Sequence, residues 1–206
     1  MILEKYFGRL TTLLLAAGYA LCLETLASGM DFPGPDPGAA QMRQEGNRII
    51  LSNNVLESEW ITGQPGLRMP QVRASSFGDG FHDAETAPFS IVFSDGCVLK
   101  ATDLNKDGEL QCVRIPPKPD AVRSAERAAG WKVSLPLVAP DGQFRAVWQL
   151  SLRDGSNYVR QELTMTSQVS ESPSELRLGG LGAQDSAVAG AVDGSPVVAG
   201  NWFFAC

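Results

Sequence analysis

The sequence carries a single histidine, His82. That scarcity excludes a metal site built from several histidines and any pair of imidazole catalysts. Basic residues are outnumbered, with 17 Lys and Arg against 23 Asp and Glu, for a formal charge of -6. A protein that grips a phosphate backbone needs a cationic surface, so a nucleic-acid partner is excluded. Hydrophobic residues make up 44%, which fits neither a disordered tail nor a polytopic membrane protein. No P-loop, nucleophile elbow or paired-cysteine zinc spacing occurs, and no internal repeat is visible. Helix-forming stretches are equally scarce.

What is present is turn chemistry. With 21 glycines and 13 prolines, about one residue in six punctuates the chain, a composition more typical of β-proteins. The 206 residues allow one ordinary domain.

Residues 1–28 read as an export signal. Lys5 and Arg9 supply the positive start, and Leu10 to Leu23 form an apolar run shorter than the roughly twenty residues that span a bilayer. Cys22 sits near the end of that run, but Leu21 precedes it in place of the small residue that lipidation requires. The expectation is export to the periplasm or the extracellular space, with no membrane span after signal removal. Residues 29–44, with Phe32-Pro33-Gly34-Pro35-Asp36-Pro37-Gly38, read as a Pro/Gly-rich linker.

Residues 45–206 then read as an all-β domain, an antiparallel β-sandwich with one short helix near 120–130. Short apolar-alternating segments at Asn47 to Leu51, Val55 to Thr62, Phe89 to Leu104 and Glu109 to Ile115 are separated by turn residues. The next such segments are Trp131 to Val138, Gln143 to Arg153, Tyr158 to Thr166, Glu175 to Leu178 and Val197 to Phe204. Asp120 caps the expected helix and Gly130 ends it. Alternation in Gln143 to Arg153 buries Phe144, Ala146, Trp148, Leu150 and Leu152. In Tyr158 to Thr166, Val159, Leu163 and Met165 face the core, leaving Tyr158, Arg160, Glu162, Thr164 and Thr166 outside.

Several strings carry chemistry. Asp103, Asn105 and Asp107 with Gly108 match the first half of a calcium loop, although Arg114 stands where the closing carboxylate belongs. The competing account is a hairpin turn at Asn105 to Gly108, joining Val98–Leu104 to Glu109–Ile115. In that register Cys112 opposes Ala101, too far from Cys97 to bridge it. Gly180-Leu-Gly182-Ala-Gln-Asp185 lacks the following helix that a dinucleotide site requires. His82, near Asp79, Asp83 and Glu85, reads as part of a solvated acidic loop. The polar face with Tyr158, Arg160 and Glu162 is a candidate sugar surface: aromatic rings stack on sugar C–H faces, and Arg and Glu bond hydroxyls. Trp60 joins the candidates because its strand alternates poorly.

Three stretches carry a resemblance. They are Ile49 to Trp60, Arg145 to Glu162, and Gly179 to Asp185 continuing through Val192 to Phe204. They resemble the N-terminal β-supersandwich, galactose-mutarotase-like in fold, of large secreted bacterial glycoside hydrolases of the α-galactosidase and endo-α-N-acetylgalactosaminidase kind. The resemblance implies a carbohydrate-associated module, with a glycan or a C-terminal catalytic barrel as partner. In such enzymes the catalytic carboxylates lie on that barrel, and stand-alone mutarotases use histidines that this chain lacks. No catalytic residue carries over. No cofactor is expected beyond the calcium alternative. A purely structural or interaction domain is the other reading, with a small enzyme using His82 as a third. After residues 1–28 are removed, Cys97, Cys112 and Cys206 remain, an odd number, and the apolar run Val197 to Cys206 ends without a turn. Both point to a chain that continues past residue 206.

Overall fold

Turn residues cut the chain into short extended segments, and each segment pairs chiefly with its neighbour in sequence. The computed structural model describes residues 35–63, 66–74, 80–82, 87–168, 173–178, 187–192, 195–199 and 202–205. The expected export signal, the loop Gly180 to Asp185, and Asp79, Asp83 and Glu85 lie outside them.

The strands in chain order are β1 (Gln41–Glu45), β2 (Arg48–Ser52), β3 (Leu56–Thr62), β4 (Leu67–Ala74) and β5 (Gly80–His82). They form an antiparallel meander in that order. Next come β6 (Phe89–Phe93), β7 (Val98–Lys100), β8 (Asn105–Lys106), β9 (Gln111–Ile115), β10 (Gly130–Val138), β11 (Phe144–Arg153) and β12 (Arg160–Ser167). The chain closes with β13 (Pro173–Leu178), β14 (Ala187–Val188), β15 (Val197–Ala199) and β16 (Trp202–Phe204). In the second sheet, β10 lies between β11 and the short strands β8 and β9, with β12 outside β11. A third sheet runs β13–β6–β7 and a fourth β14–β15–β16. The fold is antiparallel all-β, as the sequence predicts, and its small sheets are arranged like a propeller.

One apolar core joins three of these sheets. Ile49, Leu51, Leu56, Trp60 and Leu67 come from the first, and Phe89 and Ile91 from the third. The second contributes Val133, Leu135, Leu137, Phe144, Ala146, Trp148, Leu150 and Leu152. The predicted inward set of β11 is therefore buried, residue for residue. At roughly 1.5–3 kcal/mol per fully buried large apolar side chain, this cluster is the main source of stability.

Several expectations are corrected. The helix near 120–130 is present only as a 3-10 turn at Ser124–Arg127, and no helix among the described residues is long and apolar enough to cross a membrane. Its expected C-terminal residue, Gly130, instead opens β10 between Ile115 and Arg153, so ladder hydrogen bonds outweigh the helix propensity of the alanines. The hairpin over 98–115 does not form. β7 pairs with β6, while β8 and β9 both pair with β10, Asn105 opposite Val138 and Cys112 opposite Val133. Pro136 lies between those two contacts and has no N–H to give, so the chain bulges past it at 107–110 while its carbonyl accepts from Asp107 N–H at 2.9 Å. Cys97 and Cys112 form no disulfide.

β1 occupies residues read as linker, and β4 adds a strand in a stretch where Pro70 interrupts any alternation. Pro70 sits where the β3–β4 register shifts between Glu59 and Ile61, a bulge that tolerates a missing donor. The run 197–204 holds two paired antiparallel strands, β15 and β16, rather than one strand.

Candidate functional site

The period-two pattern that buries Leu150 and Leu152 turns Ser151 and Arg153 to the other face of the second sheet. Cross-strand register then assembles rows on that outer face. Lys132, Ser151 and Arg160 lie side by side on β10, β11 and β12. Ser134, Gln149 and Glu162 form the next row, where Gln149 Nε2 donates to Ser134 Oγ at 3.5 Å. Gly130 and Arg153 oppose each other at the end.

Over this face stands a wall made by residues 116–128. It is closed by Lys118 N–H donating to Glu126 O at 3.0 Å and by Arg127 Nε donating to Ala121 O at 2.9 Å. Arg153 pins it from beneath: Nη1 donates to Pro116 O at 3.3 Å and to Ala128 O at 2.7 Å. Gly130 makes that reach available. A Cβ there would lie 2.5 Å from Leu152 O and 2.9 Å from Arg153 Cδ, so only glycine lets the arginine stem cross the strand.

Between wall and sheet lies a cavity of about 310 Å³ lined by Lys118, Glu126, Lys132, Tyr158, Arg160 and Glu162, among others. Arg160 holds both of its carboxylates. Its Nη2 is 2.9 Å from Glu162 Oε1 and its Nη1 is 3.5 Å from Glu126 Oε1, while Arg123 Nη1 approaches Glu126 at 3.7 Å. Tyr158 is 50% exposed and offers a ring at the rim. The arrangement supplies an aromatic face, hydroxyls and charged donors to one small concavity, the composition of a site for a polar ligand.

The structure thus brings together three of the predicted site residues, Tyr158, Arg160 and Glu162, and removes the fourth. Trp60 is 3% exposed. Its Nε1 donates to Ser58 Oγ at 2.5 Å, and its ring packs on Trp148 in the core, so no ligand can stack on it. Its strand alternates after all: Leu56, Ser58, Trp60 and Thr62 are the buried set. Ser58 hid the pattern, being a polar residue buried to serve the indole.

The calcium alternative gathers no ligand set. Asp103 Oδ2 accepts Lys100 N–H at 3.1 Å, Asn105 lies in β8, and Asp107 pairs with Arg145. Among the described residues no group of three or more His, Cys, Asp or Glu converges. His82 lies on β5 opposite Gln71.

Sequence reasoning missed Lys118, Glu126, Lys132 and Arg153. The parity that places Arg160 outside places Ser151, Arg153 and Lys132 outside too, so part of the signal was present. The wall residues arrive through long-range contacts that no local pattern encodes. Compared with known proteins, the chain matches no family model, no curated protein and no solved structure.

Proposed function

We propose that this chain is an exported, carbohydrate-contacting β-module of the glycoside-hydrolase kind, non-catalytic by itself. The observation that carries the reading is the convergence of Tyr158, Arg160 and Glu162 on one walled cavity. An exposed tyrosine ring beside charged donors and acceptors suits a sugar, whose C–H face is apolar and whose rim is all hydroxyl. Glu126 and Glu162 are both engaged by Arg160, which supports positioning over acid–base work. The partner implied alongside the glycan is a catalytic barrel, for which the exposed Val188, Val192 and Phe203 offer apolar contact.

Titration calorimetry against neutral and charged oligosaccharides tests the reading. Tyr158→Ala is expected to weaken binding roughly fivefold to tenfold, the worth of one aromatic contact. Undiminished binding in that variant would move the surface elsewhere. Absence of any sugar binding by the wild-type chain would leave a purely structural module, and turnover of an aryl α-galactoside would overturn the non-catalytic assignment.

A further inference from the structure

We infer that the cavity over the second sheet selects an anionic saccharide, one bearing a sulfate or carboxylate group, which it seats over Ser151 between Lys132 and Arg160. This inference rests on the carbohydrate reading above and adds the charge of the ligand to it.

The first argument is charge. The chain as a whole is acidic, with a formal charge of -6. Yet the cavity lining holds Lys118, Arg123, Lys132, Arg153 and Arg160 against only Glu126 and Glu162, an excess of three cations. Such an excess in a concave site concentrates anions locally whatever the net charge.

The second argument is pairing. Elsewhere six arginines meet carboxylates: Arg43 with Glu45, Arg48 with Glu59, Arg73 with Glu57, Arg114 with Asp154, Arg145 with Asp107, Arg177 with Glu175. Inside the cavity two carboxylates serve five cations. Arg123 and Arg160 are matched by Glu126 and Glu162, whereas Arg153 donates, among the described residues, to the carbonyls of Pro116 and Ala128. Lys118 and Lys132 have no carboxylate partner among the described residues.

The third argument is spacing. Lys132, Ser151 and Arg160 are direct cross-strand neighbours. At about 4.8 Å between strands, the two cation-bearing backbones stand roughly 10 Å apart with a hydroxyl midway. Lys132 on one side and Arg160, whose guanidinium also holds Glu126 and Glu162, on the other can flank a single oxyanion above Ser151 Oγ. Tyr158, on the same lining, then meets the ring that carries the anion. A cavity of about 310 Å³ admits one or two sugar rings.

The test is calorimetric titration of the full chain with four probes: neutral digalactose, its 6-O-sulfated form, digalacturonate and inorganic sulfate. Wild-type protein is compared with the Lys118→Gln/Lys132→Gln double variant, whose positions are surface-accessible and whose folding is checked by circular dichroism. The sulfated or carboxylated sugar is expected to bind at least about tenfold tighter than digalactose. The double variant should weaken binding of the anionic sugars about three- to tenfold more than binding of digalactose. Added salt should weaken only the anionic arms. Preference for the sulfated form over digalacturonate, or the reverse, identifies the anion and supports the inference either way. Equal affinity for digalactose and both anionic forms overturns the inference while the carbohydrate reading stands. Inorganic sulfate bound as tightly as the sulfated sugar overturns the saccharide part of it. If no sugar binds at all, the carbohydrate reading fails and this inference with it.

Discussion

The indole rings of Trp60 and Trp148 meet at 4.9 Å between centroids, tilted by 48°, and so bolt the first sheet to the second. Each indole N–H is satisfied inside the protein, Trp60 by Ser58 Oγ and Trp148 by Gln161 Oε1 at 3.1 Å. Gln161 in turn donates from Nε2 to Pro88 O at 3.3 Å, tying in the segment that leads into β6. Burying two of the largest side chains with their polar atoms paired is what makes this junction stabilising rather than costly.

Trp60→Ala is therefore expected to destabilise the fold by about 3–5 kcal/mol, the range for emptying a large aromatic from a core. Ser58→Ala should cost about 1–3 kcal/mol by orphaning the indole N–H. Urea unfolding followed by tryptophan fluorescence measures both. A Trp60→Ala protein of wild-type stability would contradict the burial described above.

How much of this was readable beforehand depends on the range of the interactions. Strands whose inward residues are all apolar, such as β11, declare their faces through alternation alone. In β3 the inward set contains Ser58 and Thr62, so the alternation reads as broken and the face of Trp60 is not evident from sequence. Pro70 concealed β4 for a similar reason, since the bulge that accommodates it is defined only by its partner strand. In the cavity, Tyr158, Arg160 and Glu162 were legible because a strand face is a local property. Lys118 and Glu126 were not, because the wall is held by Arg153, far along the chain. The alanines of 121–129 favour a helix locally, and only β10 pairing reveals why Gly130 is extended.

Asp154 is expected to anchor the N-terminal strand. Its Oδ1 accepts Ala40 N–H at 2.8 Å and its Oδ2 pairs with Arg114, whose Nη1 donates to Ala40 O at 3.2 Å. Asp154→Ala removes the bond to Ala40 N–H and leaves Arg114 without its carboxylate, and should cost about 1–3 kcal/mol. Hydrogen exchange should show faster loss of protection at Ala40 and along β1 than in β11. Uniform protection in the variant would mean that β1 is held by its ladder with β2 alone.

The two described cysteines should differ in reactivity. Burial pushes the Cys112 thiol up from its ordinary value, so less of it is thiolate at any given pH, and thiolate is the nucleophile. Cys97 is exposed in the turn between β6 and β7. Iodoacetamide at about pH 8 should therefore modify Cys97 first in the native protein, with the gap narrowing as pH rises through the Cys112 value and closing in urea. Peptide mapping by mass spectrometry separates the two sites. Faster labelling at Cys112 would contradict its placement against the core.

The cavity itself depends on Arg153 as a positioning residue. Its guanidinium is the link between the sheet and both ends of the 116–128 wall, and a charged donor to carbonyl groups contributes about 1.5–3 kcal/mol. Arg153→Met keeps the stem over Gly130 and deletes only the donors. The wall should then open locally, so the Lys118 amide, held by Glu126 O, exchanges faster while β10 and β11 amides keep their protection. Sugar affinity should fall for neutral and anionic ligands alike, because a loosened wall disorders Lys118 and Glu126 together. That pattern distinguishes it from the lysine variants, which should weaken the anionic sugars more than the neutral one. Gly130→Ala provides the steric counterpart: the added methyl meets Leu152 O and the arginine stem, so the strand must shift or Arg153 must leave. Either way the same wall amides should lose protection, and unaltered exchange in both variants would show that the wall holds without the clamp.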